Sequence, residues 1–248
     1  MRRAILSDIH GNLAALQAVA TDLTSLGIDQ VVCLGDSVGY GPEPVACLQW
    51  VRQRAQYSFL GNAEEAVLFG PEVGGEASSE IMAWTRQQLQ ADRQAAELRD
   101  YLEGLPRVGR IDGALCVHAS PRSPLHEYLL PQDVDPPERY ETLLRLVGTL
   151  AFVGHTHIPG AFTADHAFRP AAAAAECSWD GRPMIINAGS VGQSRDGDRR
   201  ACYVVWEGSR LEFRRVEYDI ATTVTKMEQV PELARSKALR WLVADAAT

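Results

Sequence analysis

What most constrains the fold of this chain is the way its short apolar runs end. Runs rich in branched residues recur at 4–7, 31–34, 57–60, 114–117, 150–153, 184–186 and 202–206. The early ones alternate with stretches of helical periodicity, which is the pattern of an α/β fold. The first run closes on Asp8, Ile9 and His10, the second on Gly35 and Asp36, the third on Gly61 and Asn62, the fourth on His118, and the fifth on Gly154, His155, Thr156 and His157. Open α/β sheets build their ligand sites at the carboxyl ends of strands. Any one of these residues could be an ordinary turn Asp or Asn, or a satisfied core histidine. Seven metal-capable side chains at the same end of five strands instead point to one shared site.

Spacing sharpens that expectation. Residues two apart on a strand project to the same side, so Asp8 with His10, and His155 with His157, are each expected to aim as strand residues into one crevice. Glycine ahead of Asp36, Asn62 and His155 lets the backbone turn tightly there. The cysteines Cys33, Cys47, Cys116, Cys177 and Cys202 are odd in number and include no CxxC pair. They read as free thiols, not as a disulfide framework or a Cys-rich zinc site. Imidazole nitrogens with Asp and Asn oxygens suit manganese, iron, cobalt, nickel or zinc better than calcium or soft copper.

Elsewhere the chain gives helix and turn signals. Segment 13–26 carries Leu13, Leu16, Ala20, Leu23 and Leu26 on one stripe, opens after Asn12 and stops at Gly27. A second helix is predicted at 43–54, from the prolines at 42 and 44, and a long or broken one at 78–104. In the latter, Ile81, Trp84, Leu89, Leu98 and Leu102 form a stripe that is core or, in a homo-oligomer, a dimer surface. Runs 202–207 and 211–218 predict a hairpin around Gly208 and Ser209, and 220–244 a helical segment interrupted at Pro231. The low-complexity run Ala171 to Ala175 is assigned no chemistry. With 248 residues and 46% hydrophobic content, residues 1–248 read as a single domain.

The formal charge of -8 argues against strong nucleic-acid binding, which needs arrays of Lys and Arg opposite phosphates. The apolar run after Met1 is too short for a signal-peptide core, and no segment approaches the roughly 18 apolar residues of a membrane span. A cytoplasmic protein with no membrane partner is expected.

In order, the run endings spell DxH (Asp8-Ile9-His10), GDxxG (Gly35-Asp36-Ser37-Val38-Gly39), GNxx (Gly61-Asn62-Ala63-Glu64), a lone His118, and GHxH (Gly154-His155-Thr156-His157). In this order and spacing the chain resembles the calcineurin-like metallophosphoesterase superfamily. Through GDSVGYGPEP at 35–44, HASPRSPLHEYLLP at 118–131 and NAGSVGQSRDGDRRACY at 187–203 it resembles a small bacterial and archaeal, phosphodiesterase-like branch of it. The resemblance implies a four-layer α/β sandwich, two stacked mixed β-sheets flanked by helices. It implies two divalent transition-metal ions, manganese first among them. Asp8, His10, Asp36 and His157 would hold one and Asp36, Asn62, His118 and His155 the other, with Asp36 bridging.

The activity implied is hydrolysis of a phosphodiester or related small phosphate ester by hydroxide held between the ions, with Asp36 and Asn62 catalytic as well as metal-holding. The alternatives are a phosphoprotein or dinucleoside polyphosphate phosphatase, and a low-activity metal-binding scaffold of the same fold. The commonest family motif reads GNHD where this chain has Ala63, so the histidine that serves as general acid is absent. Such help is worth about 10²–10⁴-fold, so Ala63 implies a slow protein, one restricted to good leaving groups, or one in which another residue takes the role, with Glu64 and His126 the first candidates. Arg122, His126 and Arg195 either grip phosphate oxygens or are surface charges in structured loops. Tyr40 is expected to pack a turn, Asn187, Gly189 and Ser190 to fix one beneath the metals, and His166 to lie on the surface.

Overall fold

Alternation along each strand decides which layer a side chain joins. In β1 (Arg3–Leu6), Ile5 faces one way while Ala4 and Leu6 face the other. The computed structural model describes residues 1–70, 76–171 and 175–243. Three residues of the alanine run and the end of the predicted C-terminal helical segment lie outside them. After β1 come α1 (Leu13–Ser25), β2 (Gln30–Cys33), α2 (Pro44–Arg54), β3 (Tyr57–Ser58), α3 (Asn62–Phe69), α4 (Glu76–Ala91) and α5 (Ala95–Glu103). Next are β4 (Val108–Ile111), β5 (Ala114–Val117), α6 (Pro137–Val147), β6 (Leu150–Val153), β7 (Gly160–Thr163), β8 (Ala167–Pro170), β9 (Glu176–Ser178) and β10 (Met184–Asn187). The hairpin β11 (Ala201–Glu207) and β12 (Arg210–Val216) precedes α7 (Ile220–Glu228), α8 (Pro231–Ala234) and α9 (Lys237–Val243).

The strands form two mixed six-stranded sheets, ordered β3-β2-β1-β11-β12-β9 and β4-β5-β6-β10-β7-β8. In the first, β1 runs parallel to β2 (Ala4 opposite Val31) and antiparallel to β11 (Ala4 opposite Val205). In the second, β10 runs parallel to β6 and antiparallel to β7, with Ile185 opposite Ala151 and Phe162. Ile5, Val32, Phe152, Ile186, Val204 and Trp206 fill the space between the sheets. The outer face of the first sheet packs Leu6 and Tyr203 against Leu16 and Val19 of α1. That of the second packs Val117 and Val153 against Leu143 and Val147 of α6. The expected four layers, helix on sheet on sheet on helix, are therefore present.

Local signals explain the boundaries. The Asn12 side chain accepts the Ala15 amide at 3.2 Å and starts α1, and Gly27, at φ 60°, follows its end. The predicted 78–104 stretch is broken where the Asp92 carboxylate accepts the Gln94 amide at 2.8 Å, an Asx turn that diverts the backbone between α4 and α5. Ile81, Leu89, Leu98 and Leu102 are buried within the chain, with Trp84 packed against them, so the stripe is core. The 220–244 segment divides into three helices, with Pro231 opening the second and the Ser236 hydroxyl accepting the Leu239 amide at the third. No described helix is long and apolar enough to cross a membrane.

Candidate metal centre

The parallel strands of both sheets point their carboxyl ends to one edge, and the polar residues gather there. Asp8, His10 and His157 form one group whose potential ligand atoms all lie within 4.8 Å of one another, and Asp36, His118 and His155 form a second. The strand rule invoked for the DxH and GHxH pairs is not what aims them. β1 ends at Leu6 and β6 at Val153, so both pairs lie past their strands. Asp8, His10, Asp36, His155 and His157 all adopt left-handed backbone, with φ between 49° and 65°. Non-glycine residues occupy this region sparingly, and such residues cluster at functional sites. Turning this way divides the GHxH pair, giving His155 to one group and His157 to the other.

Close approach of the loops makes the crowding possible. A Cβ added at Gly154 would overlap Ser7 Oγ and Asp8 Oδ2, and one at Gly61 would overlap the Asp36 side chain and amide. Each aspartate spends one oxygen on the backbone of an opposing loop. Asp8 Oδ2 accepts the His155 amide at 2.9 Å, and Asp36 Oδ1 accepts the Ala63 amide at 2.8 Å. The remaining oxygens face the imidazoles. Asp36 Oδ2 stands 3.7 Å from His10 Nε2 and 3.5 Å from His118 Nε2, between the two groups. Asn62 Oδ1 lies 3.0 Å from His118 Nε2, on the side of the second group.

The donor set fits divalent cations on its own geometry. His157 Nδ1 lies 2.5 Å from the Gln193 carbonyl and His10 Nδ1 3.2 Å from that of Val38. A ring donating from Nδ1 presents a bare lone pair at Nε2, the tautomer a metal requires. These two Nε2 atoms face one another at 3.1 Å, and Asp8 Oδ1, buried without a hydrogen-bond donor, stands 3.1 Å from that of His157. Electron-rich atoms converging in this way are reconciled by a shared cation.

Titration follows the same crowding. Burial pushes Asp36 up to about 8, with Glu64 and Asp8 adding to the shift and His118 opposing it. Burial would also raise Asp8, but His157, with His118 and His10, holds its carboxyl far below the usual carboxylate range. Burial lowers His10 and His157, and pushes His155 down to about 3. His118 is raised: burial opposes this, and Asp36, Asp8 and Glu64 outweigh it.

Two expectations are corrected. Glu64 is fully buried, and its Oε2 accepts the amides of Asp36 (2.8 Å) and Gly61 (2.9 Å). Its Oε1 accepts the amide (2.6 Å) and hydroxyl (2.7 Å) of Ser37. With four donors on a closed carboxylate, it clamps the loops and is not placed to give a proton to a ligand. Arg122 forks onto Glu127, at 2.5 and 3.2 Å, so its guanidinium is held inside its own loop. Arg195 lies within electrostatic reach of both groups, where its charge helps lower His10, His155 and His157. Its guanidinium donates to Gln193 Oε1 at 3.1 Å.

A cleft of about 560 Å³ opens beside Asn62 and His155, walled by Tyr40, Glu65, Met82, Arg107, His126 and Tyr128. His126 therefore does reach the site's mouth. Tyr40 meets His10 edge-on at 5.0 Å, so it lines the site as well as packing its turn. Tyr128, within the 118–131 stretch but given no role from sequence, has its ring centroid 4.2 Å from that of His155. Ala63 is buried with Val38, Ile81 and Met82, so an apolar cluster takes the place beside Asn62. Asn187 fixes the GHxH turn by donating to the Gly154 carbonyl (2.9 Å) and Thr156 Oγ1 (2.8 Å), and Ser190 Oγ donates to the Asp8 carbonyl (2.7 Å). His166 lies outside the site, against Tyr140.

Comparison with known proteins agrees with this architecture. The family model of the calcineurin-like phosphoesterase superfamily domain matches residues 1–209. An uncharacterized protein of Methanocaldococcus jannaschii is 33% identical over 240 residues, covering 92% of this chain and 93% of its own. The crystal structure of a metallophosphoesterase from Sphaerobacter thermophilus is 36% identical, with a TM-score of 0.83 over 98% of this chain and 100% of that one. A hypothetical protein from Pyrococcus horikoshii shares the fold at 19% identity, TM-score 0.74, over 97% of each chain. With the signature residues gathered at one sheet edge and the domain matched from its first residue, the chain belongs to the calcineurin-like phosphoesterase superfamily.

Proposed function

We propose that the protein is a dinuclear metal-dependent phosphoesterase that hydrolyses a phosphodiester or a related small phosphate ester. The observation that carries this reading is Asp36 Oδ2, a carboxylate oxygen standing between the two groups, 3.7 Å from His10 Nε2 and 3.5 Å from His118 Nε2. Asp8, His10 and His157 would hold one ion, Asn62, His118 and His155 the other, and Asp36 both. Bound there, divalent ions supply Lewis acidity toward phosphoryl oxygens and a water deprotonated near neutral pH.

The remaining work falls to the chain. Arg195 adds a guanidinium beside the groups, suited to a phosphoryl oxygen by its planar fork. The cleft gives a small ester access from the side of Asn62 and His155. Glu64 keeps the Asp36 and Asn62 loops in register, so the bridging oxygen needs no rearrangement when a ligand arrives. Manganese is the metal to load first, as the family resemblance implies; imidazole and carboxylate donors with no thiolate suit it, and suit iron, cobalt, nickel or zinc as well.

Turnover of a bis-aryl phosphate by manganese-loaded protein tests the reading against Asp36→Asn. Metal-dependent hydrolysis that the substitution abolishes is expected. Equal rates for the two proteins would leave a metal-binding scaffold, and faster turnover of phosphopeptides than of small diesters would make it a protein phosphatase.

A further inference from the structure

A phosphate ester leaves as an alkoxide or phenoxide unless it is given a proton, and the buried layer has none to spare, since its imidazoles are turned to the cation positions. The cleft wall carries a different arrangement. His126 Nε2 lies 3.0 Å from Glu65 Oε2, and Glu65 Oε1 accepts from Arg107 at 2.7 Å. The ring comes from the loop after β5, the carboxylate from the first turn of α3, and the guanidinium from just before β4. All three line the same cleft as Asn62 and His155. Glu65 is the next residue after the closed Glu64 clamp, and Asn62, on the same helical turn, belongs to the metal side.

We propose that His126 is the proton donor to the leaving group, and that Glu65, held by Arg107, is its positioning residue. This rests on the phosphoesterase reading above. The Glu65 carboxylate takes Nε2 and thereby leaves Nδ1 as the ring nitrogen that meets the ligand. As the bond from phosphorus to the ester oxygen breaks, that oxygen keeps the bonding pair and takes the proton from Nδ1 of the imidazolium. The ring is left neutral, with its Nε2 hydrogen on Glu65. Attack at phosphorus adds a hydroxyl from water, whose second proton passes to solvent and is restored from there to the ring, so the products are the phosphate with one ester bond fewer and the alcohol. The other phenol and guanidinium groups lining the cleft are Tyr40, Tyr128 and Arg107. Of these side chains, imidazole is the one that most often serves as a general acid.

The test compares His126→Gln and Glu65→Gln with the unaltered manganese-loaded protein on two methyl aryl phosphates, one phenyl and one 4-nitrophenyl. A general acid matters most for the poorer leaving group. His126→Gln is expected to lower kcat for the phenyl ester by about 10²-fold and for the 4-nitrophenyl ester by about threefold, with KM little changed. Glu65→Gln is expected to lower kcat for the phenyl ester by about tenfold and to leave that for the 4-nitrophenyl ester nearly unchanged. Metal content by mass spectrometry and binding of inorganic phosphate by calorimetry should match the unaltered protein in both variants, because neither residue holds a metal. Equal losses on both esters, an effect confined to KM, or loss of bound metal would each overturn the assignment. Failure of the unaltered protein to hydrolyse either ester would instead overturn the phosphoesterase reading on which it rests.

Discussion

Two neighbouring glutamates on the first turn of α3 separate two regions of this molecule. Glu64 belongs to the buried layer, where both its oxygens accept backbone amides from the Gly61 turn and the Asp36–Ser37 loop. Glu65 belongs to the cleft rim, where it joins His126 and Arg107, whose side chains are 48% and 58% exposed. In the layer, geometry is set by left-handed backbone and carbonyl partners, and one displaced loop disturbs both metal groups. At the rim, geometry is set by side chains meeting side chains, each free to rearrange. Surface ion pairs contribute little to stability, at most about 1 kcal/mol, so the rim can vary its chemistry at small structural cost.

The largest expected effect breaks the layer. His118→Ala removes the imidazole standing against Asp36, Asn62 and His155. Several kcal/mol of transition-state charge stabilisation then disappears, and manganese-dependent turnover should fall by about 10³-fold or more. Metal content should fall with it, whereas His126→Gln should leave metal content untouched. If the rim substitution strips metal as well, the division into two regions is wrong.

Next in size is a substitution that touches no ligand. Gly154→Ala places a methyl group against Ser7 Oγ and Asp8 Oδ2. Overpacking of this kind costs about 1–3 kcal/mol, and here it also pushes on the carboxylate of the first group. The urea midpoint should fall and metal affinity with it. Glu64→Gln should act similarly on stability, by about 1.5–3 kcal/mol for a charged acceptor lost to buried amides, without the leaving-group selectivity expected of Glu65→Gln. Similar kinetic signatures from the two glutamine variants would erase the distinction between the neighbours.

The layer was legible in sequence because its residues are tied to strand ends by short, fixed spacings. Asp8, His10, Asp36, Asn62, His118, His155 and His157 all arrive where the apolar runs stop. The reason for their aim was not legible. Period-two strand logic brings Asp8 and His10 to one side, but left-handed turns do the work and divide His155 from His157. Sequence alone misassigns Glu64 because a carboxylate two residues from Asn62 looks available until its four donors are seen. The pairing of Glu65 with Arg107, 42 residues apart, and Tyr128 over His155 depend on how loops meet, which no local spacing encodes. In the fold, β4, β7, β8 and β9 mix glycine, proline or polar residues into their three or four positions and so lack the continuous apolar runs that mark β1 or β6, whereas α6 carries a stripe in Tyr140, Leu143, Leu144 and Val147.

The smallest effect expected is in the pH dependence of the metal-free protein. Unfolded carboxylates and imidazoles titrate at about 3.9 and about 6.5. In the fold, burial pushes Asp36 up to about 8, and the surrounding carboxylates raise His118 against its burial. Between about pH 6.5 and the folded value of Asp36, the folded state therefore keeps protons that the unfolded chain has lost, and stability falls as pH rises. Below about pH 6.5, His10, His155 and His157, all lowered by burial, take up protons on unfolding, so acidification costs stability in its turn. Urea midpoints measured in chelator should peak near about pH 6.5, and added manganese should flatten the alkaline side, because metal-held carboxylate and imidazole carry no proton there to lose. A midpoint rising steadily through neutral pH without metal would show that the layer is not the crowded set of acids and imidazoles on which its contrast with the rim depends.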